Sequence, residues 1–233
     1  MTPSYFHGFS GDILEFLKEL SANNTREWFT AHRDRYDNNV RLPAKQLIAA
    51  MADRFEQGDI PYKADDKTSM FRIHRDTRFS KDKSPYKTNV GIFFPCIGAH
   101  TSTGKSVEKP GLYFHIEPGQ CAVGGGLYMP TPDQLKSIRL RIHDHYDEWK
   151  TIIHSRQFTS AFPSGIHGET LKTMPRGFDA THPAADDIRK KQWYFWETLD
   201  ESVLFTEEIM DVLEEKALAS LELHEFLSEE FQQ

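Results

Sequence analysis

The chain has 233 residues, 38% of them hydrophobic and 27% charged, a length and apolar content that suit a folded domain and exclude extended disorder. Two cysteines exclude a disulfide-stapled scaffold, and no apolar run of about 18 residues reads as a membrane-spanning helix. The formal charge of −7 is segregated: residues 70–89 set six Lys/Arg against Asp76 and Asp82, whereas residues 197–233 set twelve carboxylates against Lys216 alone.

Ser10 precedes Ile13, Leu14, Phe16, Leu17 and Leu20, a spacing that predicts one apolar helical stripe behind a capping hydroxyl. Asn23 and Asn24 end that helix, and Asn24 with Glu27 has the spacing of a capping box for a second one carrying Trp28, Phe29, His32, Arg33 and Tyr36. Pro43 is expected to interrupt or kink it before Leu47, Ile48, Met51, Ala52 and Phe55 resume the stripe. From residue 70 the period becomes alternating, which predicts strands over residues 70–75, 89–95, 111–117 and 120–128. Pro118-Gly119 is a turn dipeptide, so the last two are expected to form an antiparallel hairpin.

Thr131-Pro132-Asp133-Gln134 is a helix start with Thr as the cap and Pro in the first turn, leading into Leu135, Ile138, Ile142, Tyr146 and Trp149. Residues 158–185 are rich in Pro, Gly, Ser and Thr and read mainly as loop. A further strand is expected over residues 192–198, and a long acidic amphipathic helix or helix pair over residues 203–231. No repeat or linker separates two cores, so residues 1–233 read as a single α+β domain, a central antiparallel sheet covered by N-terminal and C-terminal helices. Residues 1–20 lack a basic segment leading into an apolar core, so export is not expected and a reducing cytoplasm is.

Two phosphate-binding look-alikes fail on inspection. Gly104-Lys105-Ser106 resembles the end of a P-loop, but five residues rather than four separate Gly98 from Gly104, and Pro110-Gly111 follows where a helix is needed. Gly124-Gly125-Gly126 lacks the strand-to-helix context of a dinucleotide fingerprint. No histidine or cysteine spacing matches a metal site, so no metal is assigned and no cofactor is named. His143 and His145, two apart on a helix, point to different sides and read as surface residues. No nucleophile is assigned.

The informative stretch is residues 70–89. Arg72, Arg75, Arg78, Lys81, Lys83 and Lys87 are interleaved with the hydroxyls of Thr77, Ser80, Ser84, Tyr86 and Thr88, and guanidinium forks with hydroxyl donors suit a carboxylate or phosphate. One reading is an anion cradle using Arg72, Arg75, Arg78, Lys81, Lys83, Tyr86 and Lys87. The other is a solvated connection in which Arg75 and Arg78 pair internally with Asp76 and Asp82. Phe79 and Pro85-Tyr86 favour a segment anchored to the core. A chain that is acidic on average does not suit nucleic acid as a primary partner, because such affinity scales with the phosphates neutralised; a small anionic ligand fits better.

Strand alternation across the hairpin places Leu112, Phe114, Ile116, Cys121 and Val123 on one face and Tyr113, His115 and Glu117 on the other. Ala122 and Gly124 then leave room above the sheet for a ligand or, the commoner reason for glycine, a closely packed helix. His115 and Glu117 are candidates for acid-base work, for two of a metal's ligands, or, in the case of Glu117, for orienting an arginine. Three functions stay open: binding of an anionic ligand, catalysis on such a ligand through His115 and Glu117, and a protein interaction module using the acidic C-terminal helix. Whether the chain is an enzyme and its oligomeric state stay open too.

Trp28-Phe29 with Tyr36, the run from Arg72 through Arg75-Asp76, Arg78-Phe79-Ser80 and Asp82-Lys83 to Pro85-Tyr86-Lys87, Tyr113 to Gly119, Gly124-Gly125-Gly126, and Pro175-Arg176-Gly177-Phe178-Asp179 with His182-Pro183 resemble the conserved hypothetical proteins grouped as domain of unknown function twenty-four sixty-one. The resemblance runs from about Phe16 to Phe226. It implies one full-length domain and carries no assigned activity or catalytic residues.

Overall fold

Four strands, β1 (Val90–Pro95), β2 (Gly111–Ile116), β3 (Ala122–Leu127) and β4 (Trp193–Thr198), form an antiparallel sheet in the order β1-β2-β3-β4. With helices before and after it, the fold is α+β. The structure is a computed structural model and describes residues 6–78, 80–97 and 109–228; Phe79 and the Gly104-Lys105-Ser106 stretch lie outside them. No helix among the described residues is long and apolar enough to cross a membrane.

The chain divides into two compact units, each assembled from three segments. The first comprises Met1–Phe94, Tyr113–Val123 and Thr198–Glu214. It contains α1 (Asp12–Ala22), α2 (Arg26–Ala31), α3 (Arg33–Tyr36) and α4 (Leu42–Gln57). The expected α1 stripe is the one that packs: Ile13, Phe16, Leu17 and Leu20 are fully buried. Arg35 clamps the helix from α3, with its Nε 2.8 Å from Asp12 Oδ2 and its Nη1 2.8 Å from Glu19.

Two expected caps are corrected. Ser10 lends α1 only its carbonyl, to Ile13 N–H at 3.1 Å, and Gly11 is the cap residue. Thr25, not Asn24, caps α2, because its hydroxyl accepts the Trp28 N–H. Pro43 does not break the chain of helices. A π-turn spans Asp37–Arg41 and leads directly into α4, with Pro43 in the first turn of that helix.

The second unit comprises Pro95–Leu112, Gly124–Glu197 and Glu215–Gln233. Here α5 (Pro132–Asp144) starts with a full capping box: the Thr131 hydroxyl accepts the Gln134 N–H, and the Gln134 side chain accepts the Thr131 N–H at 2.8 Å. α6 (Tyr146–Ile153), α7 (Arg156–Ala161) and α8 (Ala185–Ile188) follow, so the stretch read as loop begins in a helix. Ser155, at the end of the preceding turn, caps α7 through Phe158 N–H.

The acidic C-terminal stretch is a 3-10 turn, Glu201–Phe205, and one long helix, α9 (Glu208–Ser228). Leu213, Leu223, Phe226 and Leu227 of α9 are buried, so its apolar stripe belongs to the core.

Candidate functional site

The predicted strand over residues 70–75 is not continuous. The chain makes isolated antiparallel bridges instead, Met70 to Ile92 of β1 and His74 to Tyr86. Arg75 N–H to Pro85 O and Lys87 N–H to Ile73 O complete a short ribbon, and the acidic and basic side chains of residues 76–84 cluster at its tip. Tyr86 anchors the ribbon. Its ring stacks on Phe29 with centroids 4.1 Å apart, and its backbone N–H and C=O are both bonded, at 3.0 Å each, by the Asn24 side-chain amide. Asn24 thus serves the ribbon, 62 residues away, instead of a helix cap.

The charges on the ribbon are largely matched within it. Arg75 Nη1 is paired with Asp82 and bonded to Ser84 Oγ at 2.7 Å. Arg78, 76% exposed, forks onto Asp76 at 2.9 and 2.6 Å. Lys83 donates to Thr77 O. Asp82 is held down to about 2 by the Ser84 backbone N–H and hydroxyl and by Arg75.

Lys87 differs. Among the described residues it has no ion-pair partner; its ammonium lies 5.2 Å over the Phe71 ring, and burial followed by the nearby charge of Arg72 lowers its pKa. Lys81 is exposed.

Phe71 leads to the second group of predicted residues. Its ring is 5.9 Å from that of Tyr113, and the Tyr113 hydroxyl is 3.1 Å from His115 Nδ1. The Asn89 amide donates to the same nitrogen at 3.2 Å and also bonds the Tyr113 hydroxyl. With a donor aimed at Nδ1, the imidazole proton sits on Nε2, which donates to Glu117 Oε2 at 3.1 Å. Thr88 donates to the other carboxylate oxygen, also at 3.1 Å.

Glu117 therefore orients His115, and no arginine of the ribbon is among its hydrogen-bond partners among the described residues. The His115 side chain is 12% exposed and that of Glu117 29%. Burial, and then the Glu117 charge, push Tyr113 up to about 12, so its hydroxyl acts as a neutral donor. The sequence reads Thr88 only as one of the ribbon's interleaved hydroxyl donors and gives Asn89 no role; their positions just before β1 are the signal that sets them near His115 and Glu117.

Glycine makes this packing possible. A Cβ on Gly91 would lie 2.6 Å from the Tyr113 hydroxyl and 2.9 Å from Phe71. In the other unit, the space left by Gly124 is filled neither by a ligand nor by a helix. A Cβ there would lie 2.7 Å from the Trp196 ring, so the indole of β4 occupies it. At the hairpin, Pro118 and Gly119 (φ +78°) are the two central residues of a turn closed by Gln120 N–H to Glu117 O, as type II geometry requires.

Cys96 and Cys121 are buried thiols raised to about 12 and about 11, chiefly by burial. No group of three or more His, Cys, Asp or Glu among the described residues has a metal-binding arrangement.

These features define an α+β protein whose second strand carries a tyrosine and a histidine, hydrogen-bonded with the glutamate that follows the strand, beside a charged ribbon. The model of the family described as conserved hypothetical protein, DUF2461, matches residues 12–226, and the chain belongs to that family. No curated protein and no solved structure matches the chain.

Proposed function

We propose that the protein binds a small phosphate- or carboxylate-bearing ligand, with Lys87 and Arg72 supplying the charge next to the Tyr113, His115 and Glu117 array. The observation that carries this reading is the half-buried Lys87 ammonium, which faces a like charge and, among the described residues, no carboxylate. Partial burial beside another cation disfavours a charged lysine, and an anion placed between the two favours the charged form of both and so offsets that cost. Arg75 and Arg78, already matched to Asp82 and Asp76, act in this reading as braces of the ribbon.

The test is a titration of the full chain with inorganic phosphate, followed by calorimetry and by the amide signals of residues 87–89. Lys87→Met and Arg72→Met should each weaken binding about tenfold or more, as loss of a charged hydrogen bond does, whereas Arg78→Met should have little effect. Unchanged phosphate binding by Lys87→Met would refute the proposal.

A second reading, acid-base chemistry on the bound anion, is favoured by the oriented imidazole. Glu117 accepts from Nε2–H and leaves Nδ1 facing Asn89 and Tyr113, the arrangement of a histidine held for proton transfer. In a screen of phosphorylated and carboxylated metabolites, this reading expects turnover that disappears in His115→Gln while phosphate binding is retained.

A further inference from the structure

Glu117 has a second environment. The array holds both carboxylate oxygens, through His115 and Thr88, and Glu117 lines, together with Thr88, a cleft of about 280 Å³ against the last two turns of α1. The volume is just below the roughly 300–1,000 Å³ of small-molecule sites, so any occupant is small.

The groups facing the cleft are chemically unlike. A carboxylate has about four acceptor positions, of which the array fills two, so Glu117 offers acceptors to the cleft. Ser21 and Ala22 belong to the last turn of α1, where the carbonyl end of the helix favours positive charge. Lys18, exposed and with no ion-pair partner among the described residues, brings an ammonium from one turn earlier. Leu17 and Pro118 give the cleft a short apolar wall.

A lone anion meets Lys18 but is repelled by Glu117 and the helix end; a lone amine meets the reverse. A molecule carrying both charges a few atoms apart satisfies each group. We infer that this cleft is a binding site for a small zwitterionic amino acid, its ammonium on Glu117 and the carbonyl end of α1, its carboxylate on Lys18. The inference uses the observed seating of Glu117 and is independent of whether Lys87 and Arg72 hold an anion.

The test compares glycine and L-alanine with acetate and ethylamine, each titrated at constant pH and ionic strength into the full-length protein, reading the backbone amide signals of Ser21, Ala22, Thr88 and Glu117. The expected result is saturable shifts at these positions with glycine and L-alanine, and at least tenfold weaker responses with acetate and ethylamine. Lys18→Met should weaken L-alanine binding about tenfold. Because Lys18 is exposed, that variant is expected to fold, which its amide spectrum verifies.

Lys87→Met should leave the L-alanine response unchanged. A Lys87→Met protein that loses phosphate but keeps L-alanine therefore supports this site, and a wild-type protein that binds phosphate but gives no zwitterion response overturns this site alone. Equal responses to acetate and L-alanine, or no saturable shift at these residues, would overturn the inference.

Discussion

His224, fully buried in α9, accepts the Gly126 backbone N–H on Nε2 at 2.8 Å, and burial lowers its pKa to about 3. A histidine that stays neutral in the fold but charges near 6.5 in the unfolded chain makes the unfolded state the better proton binder between those values. Stability should therefore be fully present above about pH 6.5 and fall as the pH drops towards 3, by about 1.4 kcal/mol per pH unit in that window. Urea unfolding at a series of pH values measures this slope, and His224→Gln, which keeps an acceptor for Gly126, should flatten it by that amount.

Gly91 is a second position where one atom decides. In Gly91→Ala the new methyl would enter the space of the Tyr113 hydroxyl and Phe71, a clash expected to cost about 1–3 kcal/mol. Because the phenol must move, the Tyr113 bond to His115 Nδ1 should be lost as well. The imidazole nitrogen shifts of His115 would report that, whereas unperturbed shifts would show the tyrosine is not held as described.

At the scale of the element, α5 is the helix whose start is most completely defined. Both halves of its capping box are formed and Pro132 occupies the first turn. Thr131→Ala should destabilise the protein by about 1 kcal/mol in denaturant unfolding, and Thr131→Ser should restore most of it. The ribbon over residues 73–87 shows the opposite dependence. Its regular hydrogen bonds are few, and its order comes from Asn24, Phe29 and its own ion pairs. The same strand-like alternation in residues 70–75 therefore produces bridges rather than a full strand, since among the described residues its bridges to its neighbours are at Met70 and His74.

For the whole molecule, the division into two compact units runs through all four strands and through α9 rather than between elements. One unit cannot lose its structure without breaking strands and a helix that contribute residues to the other, so a single unfolding transition is expected, as for one cooperative domain. Trp28 belongs to the first unit and Trp149, Trp193 and Trp196 to the second. In Trp28→Phe, the remaining tryptophan fluorescence should follow urea with the same midpoint as far-ultraviolet circular dichroism; separated midpoints would show two domains.

What the sequence alone determined was the part governed by neighbours within one turn or one hairpin: the capping box at Thr131, the Pro118-Gly119 turn, the α1 stripe and the face shared by Tyr113, His115 and Glu117. These follow from local backbone geometry and side-chain period, which need no knowledge of the rest of the chain. Tertiary structure alone decided which donor meets which acceptor. It set Asn24 on Tyr86, Thr88 on Glu117, and the Trp196 indole over Gly124. Such pairings depend on distances between segments remote in sequence, and a charged or polar side chain has several equally suitable partners until the fold leaves one within reach.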